Sequence, residues 1–226
     1  MIACNRPRLT RQGVESWHAA TSRDLADLTV VDDGSGAETS TMLEALRRKY
    51  GFTLIRNAAS LGAGFVSNLA IWAAGALRSE RGEFLYHSAA DFYFRNGWLE
   101  GLIANWPLVE RAGGALLAAY SHPYHLTTTK LEGTNGYDIH QKEAVAGGSW
   151  FMPWPIWKTF GPLNTDNRGL YVGSEDTEFN FRLRDAGLKV ATLWPEMVVH
   201  TGRTNTEGKP TLGAELMPDV PGVLIE

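Results

Sequence analysis

The sequence predicts an α/β fold, a single domain whose mainly parallel central sheet is flanked by helices in the Rossmann-like manner. Three observations carry this. Short apolar, β-branched runs alternate with helical stripes through residues 1–91. The links between them are short, which suits βαβ units. A polar or acidic residue stands at the end of each run, at Asn5, Asp33, Asn57 and Asp91. In sheets of this kind, ligands gather at the carboxyl ends of the strands.

Residues 1–4 read as the end of a short strand and Asn5-Arg6-Pro7 as a turn, with Pro7 suited to start a helix over 8–20. The run 28–31 is a buried strand ending at Asp32. Residues 39–50 are helical in pattern, with Met42, Leu43 and Leu46 on one stripe and Gly51 as the stop. A strand over 52–56, a loop over 57–64, a helix over 65–77 and a strand over 84–87 follow. The last of these leads into Ala89-Ala90-Asp91.

The second half is less regular. A helix is expected over 98–111, interrupted near Pro107, and a strand over 115–119. Residues 122–142 have little apolar periodicity and read as one long polar and aromatic loop, a feature that is usually functional. A strand over 145–152, a short helix over 155–160 and a helix over 175–186 ended by Gly187 come next. Short strands at 190–193 and 198–200 precede a Gly- and Pro-rich tail or flap, 201–226.

With 226 residues, 44% hydrophobic and 20% charged, the chain can bury a full core. A net charge of −4 gives no overall footprint for nucleic acid or anionic membrane. The lone Cys4 allows no internal disulfide and no zinc motif. The start lacks a signal-peptide pattern, and the apolar stretches 69–77 and 115–120 are too short to span a bilayer. A soluble, cytoplasmic protein is expected. Eight tryptophans are many for this length. They serve packing, or Trp98, Trp106, Trp150, Trp154 and Trp157 partly line a carbohydrate site, where flat rings stack on sugar faces.

Four motifs bear chemistry. Asp32-Asp33-Gly34-Ser35 closes a strand before a helix, where a carboxylate can accept a uracil imide N–H or a ribose hydroxyl; the same residues also make an ordinary turn with a Ser cap. Asp91 follows a strand and can hold Mn²⁺ or Mg²⁺, which take oxygen ligands and bridge diphosphates, or can simply cap a turn. Glu175-Asp176 opens a helix whose dipole favours ionised carboxylates, as a general base requires and as any helix N-terminus does. His200 ends a strand and is either a hydrogen bonder or a nitrogen ligand to a metal on Asp91.

In this order along the chain, the motifs resemble those of family 2 type glycosyltransferases with the GT-A fold. The resemblance runs from about Ile2 to Gly202. It rests on Asn5-Arg6-Pro7, Val30 to Ser35, Arg56-Asn57 with Leu61-Gly62, and Asp91 with Trp98-Leu99. It continues through Gly147-Gly148-Ser149, Phe160 to Asn164, Ser174 to Phe179 with Arg182-Leu183, and His200. It implies a nucleotide-sugar-binding half over 1–95, an acceptor-binding half over 96–202, and a metal-dependent, inverting transfer from a nucleotide-diphosphate sugar, UDP-linked, to an acceptor hydroxyl.

The resemblance further implies that Cys4, Asn5, Arg6, Asp33, Ser35, Asn57, Gly62, Asn68, Ala90 and Asp91 contact the donor. Gly148, Ser149 and Trp150 would contact the acceptor, Asp176 would be the base with Glu175 beside it, and Asp91 with His200 would hold Mn²⁺ or Mg²⁺. Two positions depart from the family pattern: Ala89 replaces the first Asp of the Asp-x-Asp motif, and Val66-Ser67-Asn68 replaces Ala-Arg-Asn. Another sugar-nucleotide enzyme on this fold, such as a nucleotidyltransferase, and a non-catalytic nucleotide- or glycan-binding protein are the alternatives. The acceptor stays open among glycan, protein, small metabolite and modified nucleobase. Residues 122–142 and the tail are the candidates to contact it.

Overall fold

A computed structural model describes residues 1–78, 83–122, 125–165, 174–203 and 221–226. The first half alternates as expected: β1 (Ile2–Ala3), α1 (Pro7–Ala20), β2 (Thr29–Asp32), α2 (Ala37–Tyr50), β3 (Thr53–Arg56), α3 (Ala63–Arg78), β4 (Phe84–Ser88). Then come β5 (Phe92–Phe94), α4 (Trp98–Arg111), β6 (Gly114–Ala118), β7 (Thr127–Glu132), β8 (Asp138–Lys142) and β9 (Ser149–Pro153). The chain continues with α5 (Trp154–Phe160), α6 (Ser174–Asp185), β10 (Lys189–Trp194) and β11 (Val198–His200).

Strands β1, β2 and β3 form a parallel sheet with β2 in the centre. A parallel bridge from Ile2 to Ala89 ties its β1 edge to the residue after β4. There a six-stranded sheet begins, in the order β4-β9-β6-β10-β8-β7. This second sheet is mixed: β6 and β10 are parallel, while β4-β9, β9-β6, β10-β8 and β8-β7 are antiparallel. The parallel pairs are thus β1-β2, β2-β3 and β6-β10, and every antiparallel pair includes a strand of the second half.

The long loop expected over 122–142 is instead largely an antiparallel hairpin on the sheet edge. Its turn carries Asn135 and Gly136 at φ 58° and 80°, the left-handed pair that tight hairpins favour. The run Thr127-Thr128-Thr129 suits an exposed edge strand, because β-branched side chains pack well on a pleated surface. β5 was not expected either. It exists because Phe92 to Phe94 pair with β11, over a hundred residues away in the chain.

Five of the eight tryptophans are buried, while Trp72 and Trp194 are exposed. Trp98, Trp106, Trp150 and Trp157 are all buried, with Trp150 stacked on Phe179 at 5.0 Å between centroids. Four of the five rings expected at a carbohydrate site are thus core; Trp154 is partly buried and packs against that core. Pro107 sits within α4 without ending it. Among the described residues no helix is long and apolar enough to cross a membrane.

Candidate active site

The site is built where β1, β2, β3 and β4 end. After β1 the chain turns through Asn5 and Arg6, both left-handed at φ 52° and 56°. Two non-glycine residues in that region cost about 1–3 kcal/mol each, so the surroundings must hold them. They do: the Asn5 N–H donates to Ser35 Oγ at 2.7 Å, and the Gly36 N–H donates to Asn5 Oδ1 at 3.0 Å. Cys4 lies beneath, its Sγ 3.5 Å from the Asp33 carbonyl, and burial raises its thiol pKa.

The two aspartates after β2 do different work. Asp32 is buried, caps the turn through the Ser35 N–H and Ser40 hydroxyl, and meets Arg56 at 3.3 Å. The Asp33 carboxylate accepts four bonds from the loop after β3: Asn57 Nδ2 at 2.9 Å, Ser60 Oγ at 2.7 Å, and the N–H groups of Leu61 and Gly62 at 2.9 and 3.2 Å. Burial alone would raise its pKa, but these donors outweigh it and leave the carboxyl below its ordinary value. Asp33 thus shapes the loop that carries Asn57 and Gly62, with both oxygens engaged.

Asp91 is the centre of a second cluster. Its Oδ2 receives Arg6 Nη1 at 2.7 Å and faces His200 Nε2 at 3.2 Å. Its carbonyl accepts both the N–H and the hydroxyl of Thr201. The three side chains are 15 to 18% exposed. Burial works to raise the Asp91 pKa, yet the His200 ring and the Arg6 guanidinium overcome it and hold the carboxyl at about 2. His200 also packs between the rings of Phe92 and Tyr120.

The resemblance assigned Mn²⁺ or Mg²⁺ to Asp91 and His200, and the two do meet. The arrangement nevertheless does not fit a divalent cation. Oδ2 is already bonded to a guanidinium. A Cβ on Gly202 would collide with both Arg6 and Asp91, so the backbone there packs against one side of the pair and leaves no room for an ion on that side. No group of three His, Cys, Asp or Glu side chains suited to a metal stands anywhere among the described residues. A dication about 4 Å from the guanidinium would be repelled by roughly 8 kcal/mol at an effective dielectric of 20.

Asp176 opens α6 on the far side of the site. Its Oδ2 accepts the Gly147 N–H at 2.8 Å and its Oδ1 the Thr177 N–H at 2.6 Å. Burial raises its carboxyl to about 6, with the Glu175 charge adding to the rise and the two N–H donors opposing it. A Cβ on Gly147 would come within 2.6 Å of the Asp176 Cβ, so only glycine lets the turn before β9 approach the carboxylate this closely. Glu175 lies against Gly64 at the start of α3. The next residue, Gly148, accepts the Ala89 N–H at 3.1 Å, which ties the Asp176 side to the Asp91 side.

Helix α6 is fixed by Asn180, which the sequence reading passed over, and by Arg182, which it used only as a motif letter. Asn180 clamps Val145 through both its amide groups and also reaches the Asp176 carbonyl. Arg182 donates to the carbonyls of Phe160 and Pro162 and pairs with Glu178.

Three expected ligand contacts have other partners. Asn68 spends its amide on Leu163, donating to its carbonyl at 3.0 Å and accepting its N–H at 2.8 Å, and so fastens α3 to the 160–164 segment. Ser149 and Trp150 are completely buried; Ser149 bonds Tyr86 and the Ala119 N–H. Neither can touch an acceptor, which is a correction to the sequence reading, and Gly148 alone of that trio keeps partial exposure. Ala90 is buried, its carbonyl packed against Gly13. The segment 166–173 before α6 and most of the expected flap, 204–220, lie outside the described residues. Residues 221–226 return to α1, where Gln12 exchanges two hydrogen bonds with Leu224.

A cavity of about 580 Å³ lies elsewhere, lined by Leu28, Thr29 of β2, Phe84 and Leu85 of β4, and Trp154. None of the carboxylates described above lines it.

No protein-family model matches this sequence, and no curated protein matches it. Solved structures do match the fold. The mannosyltransferase PcManGT from Pyrobaculum calidifontis, in complex with GDP-Man and Mn2+, superposes with a TM-score of 0.59 at 15% identity, covering 84% of this chain and 54% of that one. GalNAc-T7 with UDP, GalNAc and Mn2+ gives 0.64 at 17% identity, over 88% and 42%. S. aureus TarS 1-349 in complex with UDP gives 0.61 at 14%, over 87% and 57%. The chain has the fold of GT-A glycosyltransferases, and it spans about half the length of these proteins.

Proposed function

We propose that this protein is a glycosyltransferase that moves a sugar from a nucleotide-diphosphate donor, UDP-linked, to an acceptor hydroxyl with inversion at the anomeric carbon. The observation that carries the reading is Asp176: a buried carboxylate with its pKa near 6, held by the Gly147 N–H, one residue from the Gly148–Ala89 link to Asp91. A base with a pKa just below neutrality is ionised at pH 7 yet still basic enough to take a hydroxyl proton.

In this reading the turns at Asn5–Ser35 and Asn57–Gly62 seat the nucleotide. Asp176 takes the acceptor proton as the acceptor oxygen attacks the anomeric carbon. The bond from that carbon to the diphosphate breaks, and its electron pair leaves with the nucleoside diphosphate. Glu175 steers the acceptor or the base. The division into a donor half over 1–95 and an acceptor half over 96–202 follows from this assignment. A cytoplasmic setting rests on composition alone. No step is routed through a metal, because Asp91 and His200 are arranged around Arg6.

Thermal-shift titration with UDP, GDP, dTDP, CDP and ADP tests the proposal. A ligand at about 100 times its Kd stabilises the fold by about 2.7 kcal/mol. One nucleotide should raise the melting temperature well above the others and name the base. No response to any of the five would defeat the reading.

A further inference from the structure

We infer that the Arg6 guanidinium supplies the fixed positive charge that binds and neutralises the donor diphosphate, in the place where a divalent cation would stand. This rests on the glycosyltransferase reading and specifies how that reaction manages its leaving group.

Four observations converge. Arg6 is the last residue of the β1 turn, directly after Asn5, whose side chain and N–H organise Ser35 and Gly36. It therefore sits between the turn that would hold the nucleoside and Asp91. The backbone holds Arg6 in the left-handed region, and Oδ2 of Asp91 fixes its Nη1. Its Nη2 is buried against Gly202 and has no hydrogen-bond partner among the described residues, so one end of the guanidinium is left without an anion to pair with. Lastly, Ala89 removes one of the two carboxylates that would balance a dication, and the surviving one is matched by Arg6.

The chemistry is self-consistent. A guanidinium presents planar, directional donors that suit phosphate oxygens, and it stays protonated at any working pH. When the bond between the anomeric carbon and the diphosphate oxygen breaks, negative charge grows on that oxygen. A pre-positioned cation there lowers the barrier without reorganising. Asp91 then acts as a positioning residue: it orients Arg6, and His200 backs the same oxygen at 3.2 Å.

Calorimetric titration of UDP and GDP into the intact protein, once in EDTA and once in Mn²⁺, tests this directly. The nucleotide that binds should do so with the same affinity in both buffers. Electron paramagnetic resonance of Mn²⁺ added to the protein should show the free-ion signal, and with nucleotide present the protein should bind no more ion than the nucleotide does by itself. Arg6→Gln should weaken the diphosphate by about tenfold or more while sparing the bare nucleoside, and Arg6→Lys should recover part of the loss. Circular dichroism identifies a variant that fails to fold, and the wild-type titrations stand without it. An affinity that rises about tenfold with Mn²⁺, or manganese bound by the protein beyond what the nucleotide alone holds, would overturn the inference and leave the glycosyltransferase reading intact. Failure of both nucleotides to bind in either buffer would overturn both.

Discussion

Asp91 and Asp176 are the same side chain in two clusters linked through Gly147 and Gly148, and the molecule treats them in opposite ways. Around Asp91 stand the Arg6 guanidinium at 2.7 Å and the His200 ring at 3.2 Å, and these partners hold its pKa at about 2. Around Asp176 the donors are neutral backbone N–H groups, too weak to offset burial, and the pKa rises to about 6. One carboxylate is a permanent anion that orients a cation; the other can exchange a proton near neutral pH. Burial is common to both, so the charge of the partners decides the role.

The largest expected effect on this contrast comes from Asp176→Asn. Without the base, the transfer rate should fall by about 10²–10⁴ while nucleotide affinity is kept. A transfer assay paired with a nucleotide titration reads both, and an undiminished rate would remove Asp176 from the mechanism. Next is Asp91→Asn, which strands the Arg6 charge in a nearly buried place. It should cost about 3 kcal/mol in chemical denaturation.

Gly147→Ala should come third. The added Cβ displaces the carboxylate, and a misplacement of about 1 Å can lower the rate about 10²-fold. The loss should appear in kcat more than in KM. The smallest of the substitution effects is Asn68→Ala, which strands the Leu163 N–H and carbonyl and should destabilise by about 2 kcal/mol. If this variant instead loses nucleotide affinity at unchanged stability, Asn68 contacts the donor after all.

The pH profile sharpens the comparison without any substitution. Transfer should decline as pH falls through about 6, because Asp176 takes up a proton and ceases to be a base. The stability contributions run in opposite directions. The raised pKa of Asp176 adds stability that is full below 3.8 and lost as pH rises through about 6. The depressed pKa of Asp91 adds stability present above 3.8 and lost as pH falls towards about 2. Denaturation midpoints of Asp176→Asn and wild type should therefore converge in acid and diverge near neutrality.

Much of the first half was legible because local signals and global structure agree there. Apolar runs, Pro7 at a helix start and Gly51 at a helix stop marked the βαβ units to within a few residues. The hairpin at 127–142 was missed although Asn135-Gly136 signalled it; polar edge strands show no apolar alternation to draw attention. Ser149 and Trp150 were misplaced because a motif gives positions along a chain and not which face of a strand looks inward. Asn68 was read as a ligand because an asparagine that bonds a loop looks no different in sequence from one that bonds a donor.

By itself, then, the sequence determined the α/β class, the parallel order of the first strands and the short set of carboxylates worth considering. These depend on hydrophobic period and turn chemistry, which act over a few residues. Only the tertiary structure decided what each carboxylate does. Arg6 is 85 residues from Asp91, and Gly147 is 29 from Asp176. The proton affinity of a carboxyl is set by groups within a few ångströms in space, and the fold alone brings those groups there.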